Sequence, residues 1–297
     1  DVVEEAIRTN CNLIIAHHPI VFSGLKRITG SNYIQRVVIK AIQNNIAIYA
    51  IHTNLDNVYD GVNAMICQKL KLQHPQILSP MSGSLSKLVT YIPIDAYEKV
   101  SNALFEAGVG NIGNYSHAGF ASEGWGSFHG NESSNPTIGE KGKLEFVQEK
   151  KFESVFPNNL QSAVVKALLS AHPYEEVAYN ITNLANSNNR IGAGMIGTLE
   201  NPMNFADFLQ YVKNNMNVHV IRHTREVGSQ ISKVAVCGGS GSFLLQKAIG
   251  QKADVFITGD FKYHEFFDAE DKIVIADIGH YESEQFNKEL IFNYLSE

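Results

Sequence analysis

Cysteine is scarce: Cys11, Cys67 and Cys237 are the only three in 297 residues, far apart and without a CxxC or Cys/His spacing. This excludes a disulfide framework or a thiolate zinc site, and all three read as buried thiols in a reducing, cytoplasmic compartment. Basic charge is also short, with 24 Lys and Arg against 30 Asp and Glu and a net charge of −6. The cations are scattered rather than striped, which weighs against nucleic acid as a partner. No apolar run approaches the ~20 residues that span a membrane, and no basic-then-apolar leader opens the chain. There is no initiator Met either; Asp1 falls inside a helical pattern, so a segment of the first domain is expected to precede it. What is plentiful is apolar sequence, 44% of the chain, enough for two domains or three small ones.

That apolar content comes in short runs. Residues 13–16, 46–51, 233–237, 254–258 and 273–276 have strand length and little alternation, the pattern of strands buried on both faces. Helical spacing separates them: Val2, Val3, Ala6 and Ile7; then Ile34, Val37, Val38, Ala41 and Ile42 behind a Ser31 cap; then Val62, Met65, Ile66 and Leu70. Later come a helix face of Phe205, Phe208, Leu209 and Val212, a strand at 218–221, and a last helix reaching Leu295. Strand and helix in alternation predict an α/β core of mostly parallel sheets, with ligands at the strand carboxyl ends.

From residue 86 to 187 the texture differs. Strand 88–93, a helix face of Tyr97, Val100, Leu104 and Ala107, a glycine-rich aromatic hairpin at 115–129, strand 144–147, a helix with Leu160, Val164 and Leu168, and strand 177–181 follow one another. The order βαββαβ is that of an inserted ferredoxin-like α+β domain. Residues 183–189, with four asparagines, read as its exit linker. The expected domains are therefore 1–85 and 188–297 as two parts of one α/β core, and 86–187 as the insert.

Polar residues close each of the five buried strands: His17-His18-Pro19, His52 to Asp56, Gly238 to Ser242, Gly259-Asp260, and Asp277 to Glu284. Pro19 keeps His18 extended, so the two histidines point to opposite sides and reach two different ions; one buried and one surface histidine would give the same pattern. A helix starting near Gly279 sets His280 and Glu284 on one face, where they either share a metal ion or form a surface pair. Gly238 to Ser242 either offer backbone amides to an anion or make a tight turn. If the two sheet regions face each other, three or more imidazoles and at least two carboxylates converge without cysteine. That donor set suits zinc, manganese or iron, often in pairs ~3.5 to 4 Å apart, and hydrolysis is the natural chemistry of such a pair.

The segments HHPIVF, HTNLDN, VAVCGGSGS, ITGDFKYHEFFDA and GHYESE resemble, in order and over nearly the whole chain, the signature segments of the NIF-three-like family of dinuclear metal proteins, also labelled GTP cyclohydrolase 1 type 2 homologues. IGNYS and AHPYEEVAY are similar to segments of the PII/CutA-like insert of the longer bacterial members. The resemblance implies two divalent ions per chain, zinc before iron or manganese, held by His17, His18, Asp56, His280 and Glu284. His18 and Asp56 would sit on the first ion, His17 and His280 on the second, with Glu284 bridging. It places His52 and His264 around the ions or against a substrate, His264 as proton donor to a leaving group. It also implies a toroidal homohexamer whose sites face an internal cavity. Two departures stand out: the family's acidic segment and first strand do not precede Asp1, and Ser116-His117-Ala118-Gly119-Phe120 replaces a Cys-Ser-Phe sequence, which puts any ligand or redox role of that hairpin in doubt. Two functions result, a metal-dependent hydrolase of a small phosphorylated or heterocyclic substrate, and a non-catalytic regulatory or scaffold hexamer with a sensing insert. A DNA-binding ring is opposed by the net charge.

Overall fold

The computed structural model describes residues 2–296; Asp1 and Glu297, the outer limits of the expected domains, lie outside them. The chain forms α1 (Val2–Arg8), β1 (Leu13–Ala16), α2 (Tyr33–Gln43), β2 (Ala47–Ala50), α3 (Thr53–Asp56), α4 (Val62–Lys69) and β3 (Gln73–Ser82). Next come β4 (Leu85–Pro93), α5 (Tyr97–Glu106), β5 (Phe120–His129), β6 (Leu144–Pro157), α6 (Gln161–Ala171) and β7 (Tyr179–Leu184). The remainder is β8 (Ser187–Met203), α7 (Phe205–Met216), β9 (Arg222–His223), β10 (Ile231–Ser240), α8 (Leu245–Gly250), β11 (Val255–Gly259), β12 (Val274–Asp277), α9 (His280–Glu284) and α10 (Asn287–Ser296). Two compact units result, one from the chain up to Pro80 and from Asn189 onward, the other from Met81–Asn188. No helix among the described residues is long and apolar enough to cross a membrane.

The first unit is built on a six-stranded sheet of order β3-β8-β10-β11-β12-β9. Its continuous apolar strands need cover on both faces. Val234 and Val236 of β10, Val255 and Ile257 of β11, and Val274 and Ala276 of β12 enter one core, closed by α4 and α7 through Ile66, Leu70, Phe208 and Val212. Ala235, Cys237, Phe256 and Ile275 alternate into the other, against Leu245 and Ala248 of α8. β10, β11 and β12 run parallel, whereas β8 and β9 join antiparallel, so the sheet is mixed.

Several sequence expectations need correcting. β3 and the 17-residue β8 stand where no strand was expected, and the asparagines of 183–189 fall mostly in β7 and β8 rather than a linker. Glycine lowers strand propensity, but a Cβ on Gly197 would lie 3.0 Å from Gln73 O, and one on Gly192 would overlap Ser79 O. The glycines permit the close approach of β3. Strand pairing near 218–221 begins only at Arg222. The terminal helix is broken into α9 and α10. Asn32, not Ser31, caps α2, its Oδ1 accepting from the Gln35 N–H at 2.9 Å. Cys11 is exposed in the turn before β1, whereas Cys67 and Cys237 are buried.

β1 and β2 form a separate two-stranded parallel sheet. Its Ile14–Ile48 face packs with α1 and α2 through Val3, Ala6 and Ala41. The opposite face leaves Leu13 50% and Tyr49 55% exposed, so these strands are not buried on both sides.

In the second unit the elements follow as strand, helix, strand, strand, helix, strand, and the sheet order is β5-β6-β4-β7, antiparallel throughout. The aromatic stretch 115–129 is not a hairpin by itself; β5 pairs over ten residues with β6. Leu88, Ile92, Phe152 and Phe156 pack against Val100, Leu104, Val164 and Leu168 of α5 and α6.

Candidate metal centre

Beyond the two-stranded sheet the parallel ladder continues, with the Ile51 N–H donating to Ala16 O at 3.0 Å and the His52 N–H to His17 O at 2.8 Å. His17 and His52 thus leave the sheet side by side. His52 has φ +42°, a left-handed conformation that costs a non-glycine residue on the order of 1–3 kcal/mol. The turn it makes starts α3, which carries Asp56. From the other direction β12 ends at Asp277, whose Oδ1 accepts the Gly279 N–H at 2.9 Å. Gly279 takes φ +97°, and α9 then presents His280 and Glu284 one turn apart.

All five expected ligands meet. His17 Nε2 lies 3.4 Å from Asp56 Oδ1 and 3.5 Å from Glu284 Oε1. His18 Nε2 is 3.4 Å from Glu284 Oε2, His280 Nε2 is 3.3 Å from the same oxygen, and the two imidazole nitrogens are 3.0 Å apart. The carboxylate is therefore shared by three imidazoles, with His17 at Oε1 and His18 and His280 at Oε2, while Asp56 lies against His17. The adjacent histidines do not diverge: they lie past the end of β1, their rings edge-on with centroids 4.6 Å apart.

His52 joins the rim, its ring 5.4 Å from that of His18, 5.9 Å from His17 and 5.6 Å from Phe22. His264 does not join. It is exposed on a 3-10 helix (Tyr263–Ala269) with its ring against Tyr263.

The cluster rests on residues that sequence patterning missed. Asn63, buried at the start of α4, donates to Asp56 O at 2.9 Å and accepts from the Gly238 N–H at 3.0 Å. The Gly239 N–H donates to Ser283 Oγ at 2.8 Å. Both glycine amides therefore have protein partners, and close packing accounts for them: a Cβ on Gly239, φ +65°, would sit 2.5 Å from Glu284 Oε1, and one on Gly238 would sit 2.6 Å from Val62 Cγ1. Asp260, at the end of β11, sets its Oδ2 2.6 Å from His280 Nδ1 and accepts from Ser240 Oγ at 2.9 Å. A carboxylate on Nδ1 keeps the proton there and turns the Nε2 lone pair toward the cluster.

Burial opposes charge on His17, but the Glu284 and Asp56 carboxylates outweigh it and hold the imidazole above its ordinary value. His280 is raised in the same way, burial being outweighed by Asp260 and Glu284. Burial, with the fields of the other histidines, holds His18 low. Burial raises Asp56; in Glu284 it is overcome by three imidazoles, which keep the carboxyl below its usual range.

The donor set fits a divalent metal. His17 Nδ1 and Nε2 and Asp56 Oδ1 are buried without a hydrogen-bond partner among the described residues, a costly state for atoms with no other occupant to face. One ligand atom from each of His17, His18 and Glu284 lies within 4.8 Å of the others, close to twice the ~2.1 Å of a metal–nitrogen or metal–oxygen bond. With the Glu284 side chain 8% exposed against 45% for His18 and 37% for His280, the centre is sealed on one side and open on the other.

The family model Duf34/NIF3 (NGG1p interacting factor 3) matches residues 1–297. A Bacillus subtilis protein named GTP cyclohydrolase 1 type 2 homolog is 41% identical over 290 residues, 97% of this chain and 78% of that protein. A namesake from Halalkalibacterium halodurans is 42% identical over 281 residues, 94% of this chain and 76% of that one. The crystal structure of a Bacillus cereus protein related to NIF3 superposes with a TM-score of 0.85 at 39% identity, covering 99% of this chain and 80% of that one. Signature segments, fold and full-length similarity agree: the chain belongs to the Duf34/NIF3 family.

Proposed function

We propose that His17, His18, Asp56, His280 and Glu284 hold two divalent ions, zinc in the first place and iron or manganese otherwise, and that the chain hydrolyses a small phosphorylated or heterocyclic substrate. The observation that carries this reading is the Glu284 carboxylate set among three imidazoles, His17 at one oxygen and His18 and His280 at the other, with Asp56 against His17. Ions bound there supply Lewis acidity and a clamp for substrate oxygens. Asp260 fixes the tautomer of His280, and Asn63 and Ser283 tie Asp56 and α9 to the end of β10. His52, on the open rim, is the group to exchange a proton with a bound substrate; His264 is kept as a second proton donor. The name carried by the relatives makes GTP the first compound to try. The wider proposal is a cytoplasmic, toroidal homohexamer with core parts 1–85 and 188–297 and a ferredoxin-like, PII/CutA-like domain at 86–187.

Elemental analysis of the purified protein is the test. Two ions per chain, falling below one in Glu284→Ala, followed by turnover of GTP or a phosphate ester that Glu284→Gln abolishes, is the expected result. No metal after anaerobic reloading would sink the proposal. The second reading, a regulatory or scaffold protein, is favoured by the separate core of the second unit; metal without turnover, and loss of assembly in Glu284→Gln, would select it.

A further inference from the structure

The second unit contains a cavity of about 640 Å³ whose lining comes from β5, β6, the loop that joins them and the segment before β7. Two hydrogen bonds tie these walls together, the Asn135 N–H to Glu175 Oε1 at 2.7 Å and Thr137 Oγ1 to Pro173 O at 2.8 Å. In the lining is Glu149, a carboxylate only 8% exposed. Gly124 pairs with it on β5, and a Cβ on the next glycine, Gly126, would overlap Glu149 Oε2. Gly126 has no positive φ; it is glycine because the carboxylate occupies the space a side chain would take.

One oxygen of Glu149 is held and the other is not. Tyr174 Oη donates to Oε1 at 2.9 Å. Tyr174 is itself fixed by His172, whose Nδ1 accepts the Tyr174 N–H at 3.2 Å while Nε2 donates to Tyr91 O at 3.0 Å. Oε2 has no hydrogen bond to the protein among the described residues, and the cavity that Glu149 lines is open to it. Such an oxygen calls for a donor, and a charged donor most of all. The rest of the lining adds negative charge from Glu123, Glu175 and Glu176; its one cation, Lys151, is paired with Glu153 at 3.0 Å. Trp125, 72% exposed, and Phe128 contribute aromatic surface. Carboxylates beside aromatic faces select a positive charge on an apolar body.

We propose that this cavity binds a small organic ammonium ion, its nitrogen on Glu149 Oε2 and its apolar body against Trp125 and Phe128. Every residue involved lies in the second unit, so the proposal does not depend on the metal centre. Trp125 is the chain's one tryptophan and reports binding directly. The full chain at pH 7 is titrated with 2-phenylethylammonium, neutral 2-phenylethanol and anionic 3-phenylpropanoate, following Trp125 fluorescence. The ammonium should bind about tenfold tighter than the alcohol or better, and the carboxylate not at all. Glu149→Gln should weaken the ammonium by about tenfold or more and leave the alcohol unchanged. Gly126→Ala, which displaces the carboxylate without removing it, should weaken it too, and keeps the test decisive if Glu149→Gln does not fold. Equal binding of all three compounds, preference for the anion, no response to any of them, or ammonium affinity untouched in a folded variant would each overturn the proposal.

Discussion

Replacing Gly239 with alanine asks whether the glycines ending β10 are there to seat Glu284. Two costs are separable. The first is conformational: at φ +65° an L-residue loses about 1–2 kcal/mol, which lowers the melting temperature by roughly 2–8 °C in a unit of this size. The second is steric. The new Cβ would stand 2.5 Å from Glu284 Oε1 and 3.3 Å from His280 Cε1, the former roughly 1 Å inside ordinary contact distance. The carboxylate that faces all three histidines must swing away, and a ligand displaced by that much should cost about 10–100-fold in metal affinity. Gly228 supplies the control, since it has φ +78° and an added Cβ would meet nothing within 4 Å. Gly228→Ala should share the thermal loss and keep the affinity. Zinc competition against a chromogenic chelator, run beside thermal melts of the metal-free proteins, reads both terms. Wild-type affinity in Gly239→Ala, or an equal loss in Gly228→Ala, would refute the argument.

Other positions give simpler tests. Asp260→Asn keeps the shape of the side chain and tolerates φ +61°, yet removes the charge on His280 Nδ1; zinc affinity should fall about tenfold, and no change would mean that His280 is oriented by something else. Burial pushes the Cys67 and Cys237 thiols up to about 12, so a thiol reagent such as DTNB should react quickly with one cysteine per chain, Cys11, and with all three after unfolding. Two fast thiols would contradict the packing. Burial lowers the His172 pKa despite its bond to Tyr91 O, so the unfolded chain takes up that proton before the folded one does. Its contribution to stability is complete above about pH 6.5 and is lost as the pH falls below that value; His172→Gln should melt with a flatter acid limb than wild type, and parallel limbs would refute the assignment.

The strand ends that carry the five candidate ligands are legible in the sequence for a definite reason, although the ligand set itself comes from the family resemblance. A polar residue directly after a run such as Ile273-Val274-Ile275-Ala276 leaves a strand whose faces are both covered, so it emerges at the sheet edge where strand ends gather. Asp260 and Asp277 obey that rule, and His280 and Glu284 add helical spacing to it. The two-stranded sheet was harder to place, because Leu13-Ile14-Ile15-Ala16 looks like a doubly covered strand while only its Ile14 face is packed. An apolar run states what could be buried and does not state what arrives to cover it.

What stayed hidden depends on partners distant in the chain. Asn63 resembles any exposed helical asparagine until Gly238, 175 residues away, donates its amide to it. β8 looks like a loop because Gly192, Gly194 and Gly197 interrupt it, yet these glycines admit the neighbouring backbone and side chains. Glu149 is the strongest case. It lies among Gln148, Glu149, Lys150 and Lys151 in a strand whose composition reads as solvated surface, and no periodicity marks it for burial. Only the absence of a side chain at Gly126 creates the space that holds its carboxylate. A glycine diagonally across the ladder from a charged strand residue, where the backbone needs none, is thus a signal of buried polar function that becomes readable only once the register of the two strands is known.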